Sequence, residues 1–409
     1  MKILQISPYA TCNDVPLLSQ CKAGFGYMVY DIAKSLAKNN EVEMILFNYR
    51  YKKFEKERIV FRESKIRLFL KNVFYCSKLS LLFYLKHNYH VLTRTFIRLF
   101  YIWFATGYYY KIIRNGHYDV VHIHGCGFYD DLLMDVCRRL NQPFVITLHG
   151  LNSFSDSIKI SEGGKRYERD FLQRVANGEF SITVISSGIK RTIEKTYGIT
   201  AFNNIHVVCN AFTFAEGKTQ DLNIREIYGI PGNSKLLLYV GNINKNKNQE
   251  QLIEAFDLLP DDVVKDVYVL FLGRNNEPGY EIETLINKSQ SKEHLILCGN
   301  IDKEQMPGYY QNAEAVALLS KAEGFGLSLI EGMHFGLPCM TFCDLDAFND
   351  IYDPCAVVAL PDRNNQTVAH GLMDLLYKEW NSDEIMHYSQ KFESKSMADN
   401  YLDVYLQIQ

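Results

Sequence analysis

At 409 residues the chain exceeds what one hydrophobic core organises, since cores stop growing near ~250–300 residues, so two domains are expected. Apolar residues make up 47% and charged residues 22%, which excludes a disordered chain, and a net charge of −3 offers no basic field for nucleic acid. Ten cysteines occur without a Cys-x-x-Cys pair or a zinc-ligand spacing, and several lie in apolar runs ("HVVCNAF", "LILCGN"), so reduced thiols in a cytoplasmic compartment are expected.

The opening "MKILQISPYA" turns polar too soon for a secretory leader and reads as a buried strand. "EVEMILF", "DVVHIH", "PFVITLH", "FSITVIS" and "IHVVC" follow as strands buried on both faces. Amphipathic segments at Tyr27–Lys38, Asp130–Leu140 and Gly188–Tyr197 lie between them. The polar stretch Thr213–Leu222, "TFAEGKTQDL", reads as a linker. The alternation then restarts with strands "KLLLYVG", "VYVLFLG", "HLILCG", "AVALLS" and "LPCMTF". Helices "NQEQLIEAFDLL", "YEIETLINK", "KEQMPGYYQ" and "LSLIEGMHF" separate them. Two runs of strand and helix predict two doubly wound α/β domains, 1–214 and 215–390, with ligand beyond the strands' carboxyl ends in a cleft between domains. Residues 391–409 read as a terminal helix free to pack back on the first domain.

One span departs from this pattern. Lys65 to Tyr118 contains no Asp or Glu, nine Lys or Arg, and many aromatics. Its longest uncharged apolar run, Leu99–Tyr110, is too short to cross a bilayer. Two readings stand: an interfacial segment against an anionic membrane surface, or helices on the first sheet whose basic side chains lay their stems along apolar surface.

The stretch "EGFGLSLIEGMHFGLP" sets Glu323 and Glu331 around a glycine turn that opens a helix. Amides at such a start, aided by the helix dipole, suit phosphate. Glutamates repel phosphate but accept hydrogen bonds from hydroxyls. Together these describe a nucleotide-sugar site, although two acids on a helical stretch are more commonly a solvated face. Upstream, "LLLYVGNINKNKNQEQLIEAF" ends a strand in Gly241 and places Lys247 before a helix, within reach of an anion at the same edge.

These motifs resemble the retaining glycosyltransferases of family 4, of GT-B fold, whose hallmark is Glu-x7-Glu in this setting. "YVGNINKNKNQEQLIEAF" is similar to their Gly-Arg-x5-Lys loop, and "CGNIDKEQMPGYYQNAEAVALLS" to the segment before the acidic motif. In the first half "AGFG", "DVVHIHG", "VITLHG" and "VVCNAF" resemble the family more loosely. The resemblance implies that Glu323 holds donor-sugar hydroxyls and Glu331 the ribose. It implies that Lys247 and the amides of Gly324, Phe325, Gly326 and Leu327 bind the diphosphate, and that Asn300 and Ile301 meet the base. Gly24 and Gly26 would let a helix start approach phosphate or acceptor. His149 would lie near the donor sugar, against the alternative of a histidine satisfied at a strand end. Asn242 stands where the family has arginine, so Arg274 is a candidate for the missing charge. Ala23 and Ala211 replace two customary glycines.

The implied reaction is sugar transfer, with retention, from a UDP- or GDP-sugar to a saccharide or lipid-linked hydroxyl acceptor in bacterial surface polysaccharide synthesis. No cofactor and no metal are expected, the "DLD" at Asp344–Asp346 following the wrong strand for a metal pair. A GT-B-fold epimerase or hydrolase would share the donor pocket without an acceptor groove, a phosphorylase would need a free-phosphate site, and a non-catalytic nucleotide-sugar-binding subunit would tolerate Asn242.

Overall fold

The computed structural model describes residues 1–21, 24–77, 92–127, 129–151, 153–154, 161–198, 204–212, 214 and 222–409. Ala23, most of the stretch 213–222 read as a linker, and 78–91 of the acid-free span lie outside the described residues. The chain divides into two compact units, one of Met1–Ile185, Ile189–Val208 and Ser394–Gln409, the other of Ser186–Gly188 and Cys209–Glu393.

In the first unit β1 (Lys2–Ser7), β2 (Glu41–Leu46), β3 (Phe54–Lys56), β4 (Ile59–Phe61), β5 (Val120–His124), β6 (Phe144–Leu148), β7 (Ile182–Val184) and β8 (Ile205–Val207) form one sheet in the order β3-β4-β2-β1-β5-β6-β7-β8. Its helices are α1 (Gly24–Ala37), α2 (Ile66–Lys71), α3 (Leu92–Gly116), α4 (Asp130–Arg139), α5 (Glu162–Ala176) and, from Ile189 onward, α6 (Ser187–Tyr197). The pairings are parallel except β3 with β4. Every residue of β5 is buried, as a strand covered on both faces requires. The switch in strand order falls between β1 and β5.

In the second unit β9 (Lys235–Val240), β10 (Val267–Leu272), β11 (Leu295–Gly299), β12 (Ala315–Leu318), β13 (Cys339–Phe342) and β14 (Val357–Leu360) pair in parallel in the order β11-β10-β9-β12-β13-β14. The helices are α7 (Ile224–Tyr228), α8 (Gln249–Phe256), α9 (Asp261–Val264), α10 (Ile282–Lys288), α11 (Met306–Gln311), α12 (Leu327–His334), α13 (Phe348–Ile351), α14 (Asn365–Tyr377) and α15 (Ser382–Ser389). Leu237, Phe256, Phe271, Ala317 and Leu372 sit in its core. Here the switch point lies between β9 and β12, whose carboxyl ends lead into the Lys247 and Glu323 loops.

The last helix, α16 (Ser394–Gln407), belongs to the first unit and packs on α1. Its Tyr401 and Tyr405 are wholly buried. The Tyr405 hydroxyl lies 2.7 Å from His122 Nδ1, and His122 Nε2 lies 2.6 Å from Thr147 Oγ1. Alternation along β5 and its register with β6 put His122, His124 and Thr147 on one face of the sheet. Among the described residues no helix is long and apolar enough to cross a membrane.

The predicted strands and helices all appear. The sheet differs from an all-parallel expectation at its edge, where the three-residue β3 runs antiparallel, and β4, β14, α5, α14 and α15 add elements that the sequence pattern did not mark.

Candidate functional site

The site of the second unit is built from two loops at the switch point. β9 ends at Val240, and Gly241 follows with φ +150°. A Cβ on Gly241 would stand 3.2 Å from Lys247 Cε, so the bare glycine lets the lysine stem lie across it. A Cβ on Gly273, just past β10, would fall 1.9 Å from the Gly241 carbonyl oxygen. The two strand ends therefore come together only because Gly273 lacks a side chain.

The loop that follows holds itself by its asparagines. Asn244 Oδ1 accepts from the Lys247 amide at 2.9 Å. Asn246 grips the other loop: its Nδ2 donates to the Ala322 carbonyl at 2.9 Å, its Oδ1 accepts from the Ala322 amide at 3.1 Å, and its own carbonyl accepts from Lys321 N at 2.7 Å. The buried Tyr239 hydroxyl donates to the Lys247 carbonyl and accepts from Leu319 N at 2.9 Å. These bonds fix Lys247 next to the residues after β12, and its Nζ forms an ion pair with Glu323. The two side chains are 21% and 20% exposed, so the pair is neither fully solvated nor sealed.

After Glu323 the chain turns through Gly324–Gly326. Gly326 caps α12 at φ +90°, a conformation costly to any residue with a Cβ. Among the described residues nothing accepts from the amides of Gly324, Phe325, Gly326 or Leu327. The Phe325 side chain is buried edge-on to Phe392, with ring centres 5.9 Å apart, so this residue presents only its backbone. Glu331, one turn into α12, accepts from the Tyr310 hydroxyl at 2.7 Å. Tyr310 is wholly buried and stacks on Phe335 at 5.5 Å, which fixes the carboxylate from below.

Asn300 and Ile301 follow β11, two strands from β9, after Gly299 turns at φ +73°. Asn242 is exposed, and its carbonyl accepts from Gln249 Nε2 at 3.0 Å. The exposed Arg274 runs beside it, its carbonyl accepting from Ile243 N at 2.9 Å. Asp344 gives both carboxylate oxygens to Arg363, at 2.8 and 3.1 Å, so the Asp-x-Asp sequence is occupied by a guanidinium.

In the first unit Gly24 and Gly26 open α1 and differ in kind. A Cβ on Gly26 would lie 2.1 Å from Thr11 Oγ1 and 2.9 Å from the Tyr9 ring, whereas one on Gly24 meets nothing within 4 Å. The space at Gly26 is thus filled by the chain's own loop rather than kept for a ligand. His149, just past β6, lies 4.8 Å from the Phe25 ring and 3.3 Å from His124 Nδ1. Among the described residues its Nδ1 and the Nε2 of His124 are buried without a partner. Burial pushes the pKa of His149 down to about 4 and that of His122 to about 3, and holds His124 well below the usual histidine value.

Sequence reading passed over Asn246, Tyr239, Tyr310, His122 and His124. His122 and His124 had a signal in their i, i+2 spacing within "VVHIHG". Asn246 had none, since its role depends on a loop 76 residues away.

A family model for glycosyl transferases group 1 matches residues 220–391, and one for Glycosyltransferase Family 4 matches residues 23–214. The chain is 27% identical over 243 residues to a D-inositol 3-phosphate glycosyltransferase from Xylanimonas cellulosilytica, covering 55% of each. It is 21% identical over 259 residues to an O-antigen chain mannosyltransferase B from Escherichia coli, covering 63% of this chain and 66% of that protein. The matches thus span less than two-thirds of these relatives' length. HepE from Anabaena, solved with UDP and glucose, superposes with a TM-score of 0.68 at 14% identity over 100% of both chains, a likeness of fold.

Proposed function

Given that the chain belongs to the glycosyltransferases of group 1 and family 4, with the GT-B fold, we propose that it moves a sugar from a UDP- or GDP-sugar to a hydroxyl of a saccharide or lipid-linked saccharide, with retention. The observation that carries this reading is the Lys247–Glu323 pair at a switch point, beside four amides that donate to nothing among the described residues. A diphosphate offers Lys247 a stronger anion than one carboxylate, and its oxygens suit the amides and the α12 dipole. As Lys247 turns to the diphosphate, Glu323 is released to accept from sugar hydroxyls. Glu331, already oriented by Tyr310, accepts from the ribose.

In the reaction the bond from the anomeric carbon to the diphosphate oxygen breaks, the acceptor oxygen bonds to that carbon on the same face, and the acceptor's proton passes to the leaving phosphate. Charge builds on the diphosphate, and Lys247 with the amides of Gly324–Leu327 stabilises it as fixed groups that need no reorganisation. These groups, rather than a metal, carry that charge in our reading, with Arg274 beside Asn242 as a second cation. Asn300 and Ile301 meet the base. His149 and the α1 start around Gly24 serve the sugar and acceptor side. A polysaccharide or glycolipid acceptor follows the named activity of the O-antigen relative, and ten unpaired thiols suit the cytoplasm.

Thermal denaturation with UDP, GDP, ADP and their sugars tests this. A ligand at 100 times its Kd stabilises a native site by about 2.7 kcal/mol. One nucleoside diphosphate should raise the melting temperature above the others and lose that effect in Lys247→Ala. No shift with any of them sinks the proposal.

A further inference from the structure

Beyond sugar transfer, we propose that the outward side of α2 and of the 3-10 turn after it, Val73–Tyr75, docks on an anionic lipid bilayer. Phe74 is 94% exposed and Leu70 61%, while Phe69 just before Leu70 and Asn72 between the two are buried. Single exposed apolar residues are ordinary, but two large ones four residues apart, one near the end of α2 and one in the turn after it, with exposed Arg67 and Lys71 on the same short stretch, make a stripe that water does not favour.

The exposure does not come from loose packing. Gly107 of α3 has no Cβ, and one would fall 2.1 Å from the Asn72 carbonyl oxygen, so the end of α2 seats directly on α3. Tyr75 stacks on Tyr110 at 5.5 Å, and the Tyr108 hydroxyl donates to the Glu63 carbonyl. The segment is held by its inner side and presents its outer side.

Charge selects the occupant. On the segment itself stand Lys65, Arg67 and Lys71, and beside it Arg50, 5.8 Å from the Phe69 ring, and Arg139, 4.7 Å from the Tyr110 ring. The acids are Glu63, shared by Lys65 and Arg67, and Asp135, 3.9 Å from Arg139. Among the described residues these five cations against two acids leave a positive rim beside a protruding phenyl ring. Headgroup phosphates match the rim, and acyl chains yield around a projecting ring as no preformed protein surface needs to.

The test uses the full chain with phosphatidylcholine vesicles, with and without phosphatidylglycerol, and reads binding by flotation without any sugar substrate, so its result is independent of the proposed transfer. Binding should appear only with the anionic lipid and weaken as salt shortens the screening length from ~10 Å at 0.1 M to ~3 Å at 1 M. Lys71→Gln should lower partitioning about fivefold, and Phe74→Ser about tenfold or more. Phe74→Trp keeps the apolar group and should show a blue-shifted indole emission on anionic vesicles. Equal binding to neutral vesicles, no flotation, indifference to both substitutions, an unshifted indole, or self-association that Phe74→Ser abolishes in the absence of vesicle binding would each overturn the proposal.

Discussion

Lys247 and Glu323 make a sharp pair of substitutions because each neutralises the other. Lys247→Ala removes the cation and leaves a carboxylate facing the diphosphate. It should lower kcat/KM by about a hundredfold to a thousandfold, on the order of 3–4 kcal/mol for a transition-state charge donor. Glu323→Gln keeps the shape and frees the lysine. Calorimetry should then find nucleoside diphosphate bound as tightly or more tightly, while sugar transfer falls. Weaker diphosphate binding in Glu323→Gln would show that the two anions do not compete for Lys247. The buried histidines add a pH dependence of stability. His122, His124 and His149 are held neutral in the folded chain, with pKa values of about 3 for His122 and about 4 for His149. The unfolded chain takes up protons near pH 6.5, where the folded chain does not, so stability falls as pH drops from there toward 4 and is unaffected above 7. Each such histidine contributes a slope of up to about 1.4 kcal/mol per pH unit. Urea midpoints at pH 7, 6 and 5 should fall progressively, and His122→Gln should flatten the slope. A midpoint independent of pH over this range would mean that the three rings are not buried in the neutral form.

At the scale of elements, the start of α1 separates two glycines that look alike in sequence. Gly26→Ala forces a methyl into Thr11 and Tyr9 and should cost about 1–3 kcal/mol, the usual range for overpacking. Gly24→Ala meets nothing and gains helix propensity, so chemical denaturation should show it level with the parent or up to about 1 kcal/mol more stable. Equal losses at both positions would show that the α1 start is set by something other than this contact. The "AGFG" motif shows that glycine is present but not which neighbour each glycine accommodates. The same boundary runs through the whole fold. Long apolar runs such as "KLLLYV" and "VYVLFL" announce strands because burial on both faces leaves no room for polar residues. β3 and β4 are three-residue strands set among charged residues in "KKFEKERIVFRESK", so no apolar run announces them, whereas β14 lies in "CAVVAL", an apolar run that did carry a signal. The helix α5 did carry one, Tyr167, Phe171, Leu172 and Val175 marking its buried face, but its opening "EGGK" looks like a loop. In the site, Lys247, Glu323 and Glu331 were legible because the loop between strand and helix is local. The Asn246 grip, the Tyr310 support and the Lys247–Glu323 pairing were not, since each joins residues brought together only by the switch in strand order.

At the scale of the molecule, the first unit is completed by α16, a helix far along the chain from the rest of that unit. The sheet carrying His122 and Thr147 is made from the first half of the chain, and the hydroxyl that meets His122 comes from Tyr405, 283 residues later. Until α16 arrives, that face of the sheet has polar groups with no partner and apolar surface with no cover. Contacts of such long range are also slow to form, because closing the loop costs entropy before the contact rewards it. The second unit, Ser186–Gly188 and Cys209–Glu393, has its own core, whose members run from Leu237 to Leu376. Removing residues 394–409 should therefore act on one unit. Hydrogen exchange resolved by peptide reads this better than a single melting temperature, which does not say which unit has opened. Peptides from β1, β5 and β6 should lose protection, and those from β9, β10 and β12 should keep it. Tyr405→Phe isolates the polar part: the ring still packs, His122 Nδ1 loses its partner in a buried place, and the first unit should lose about 1–3 kcal/mol. Exchange that rises evenly over both sheets in the truncated chain, or a Tyr405→Phe variant indistinguishable from the parent, would show that α16 is not what completes the first unit.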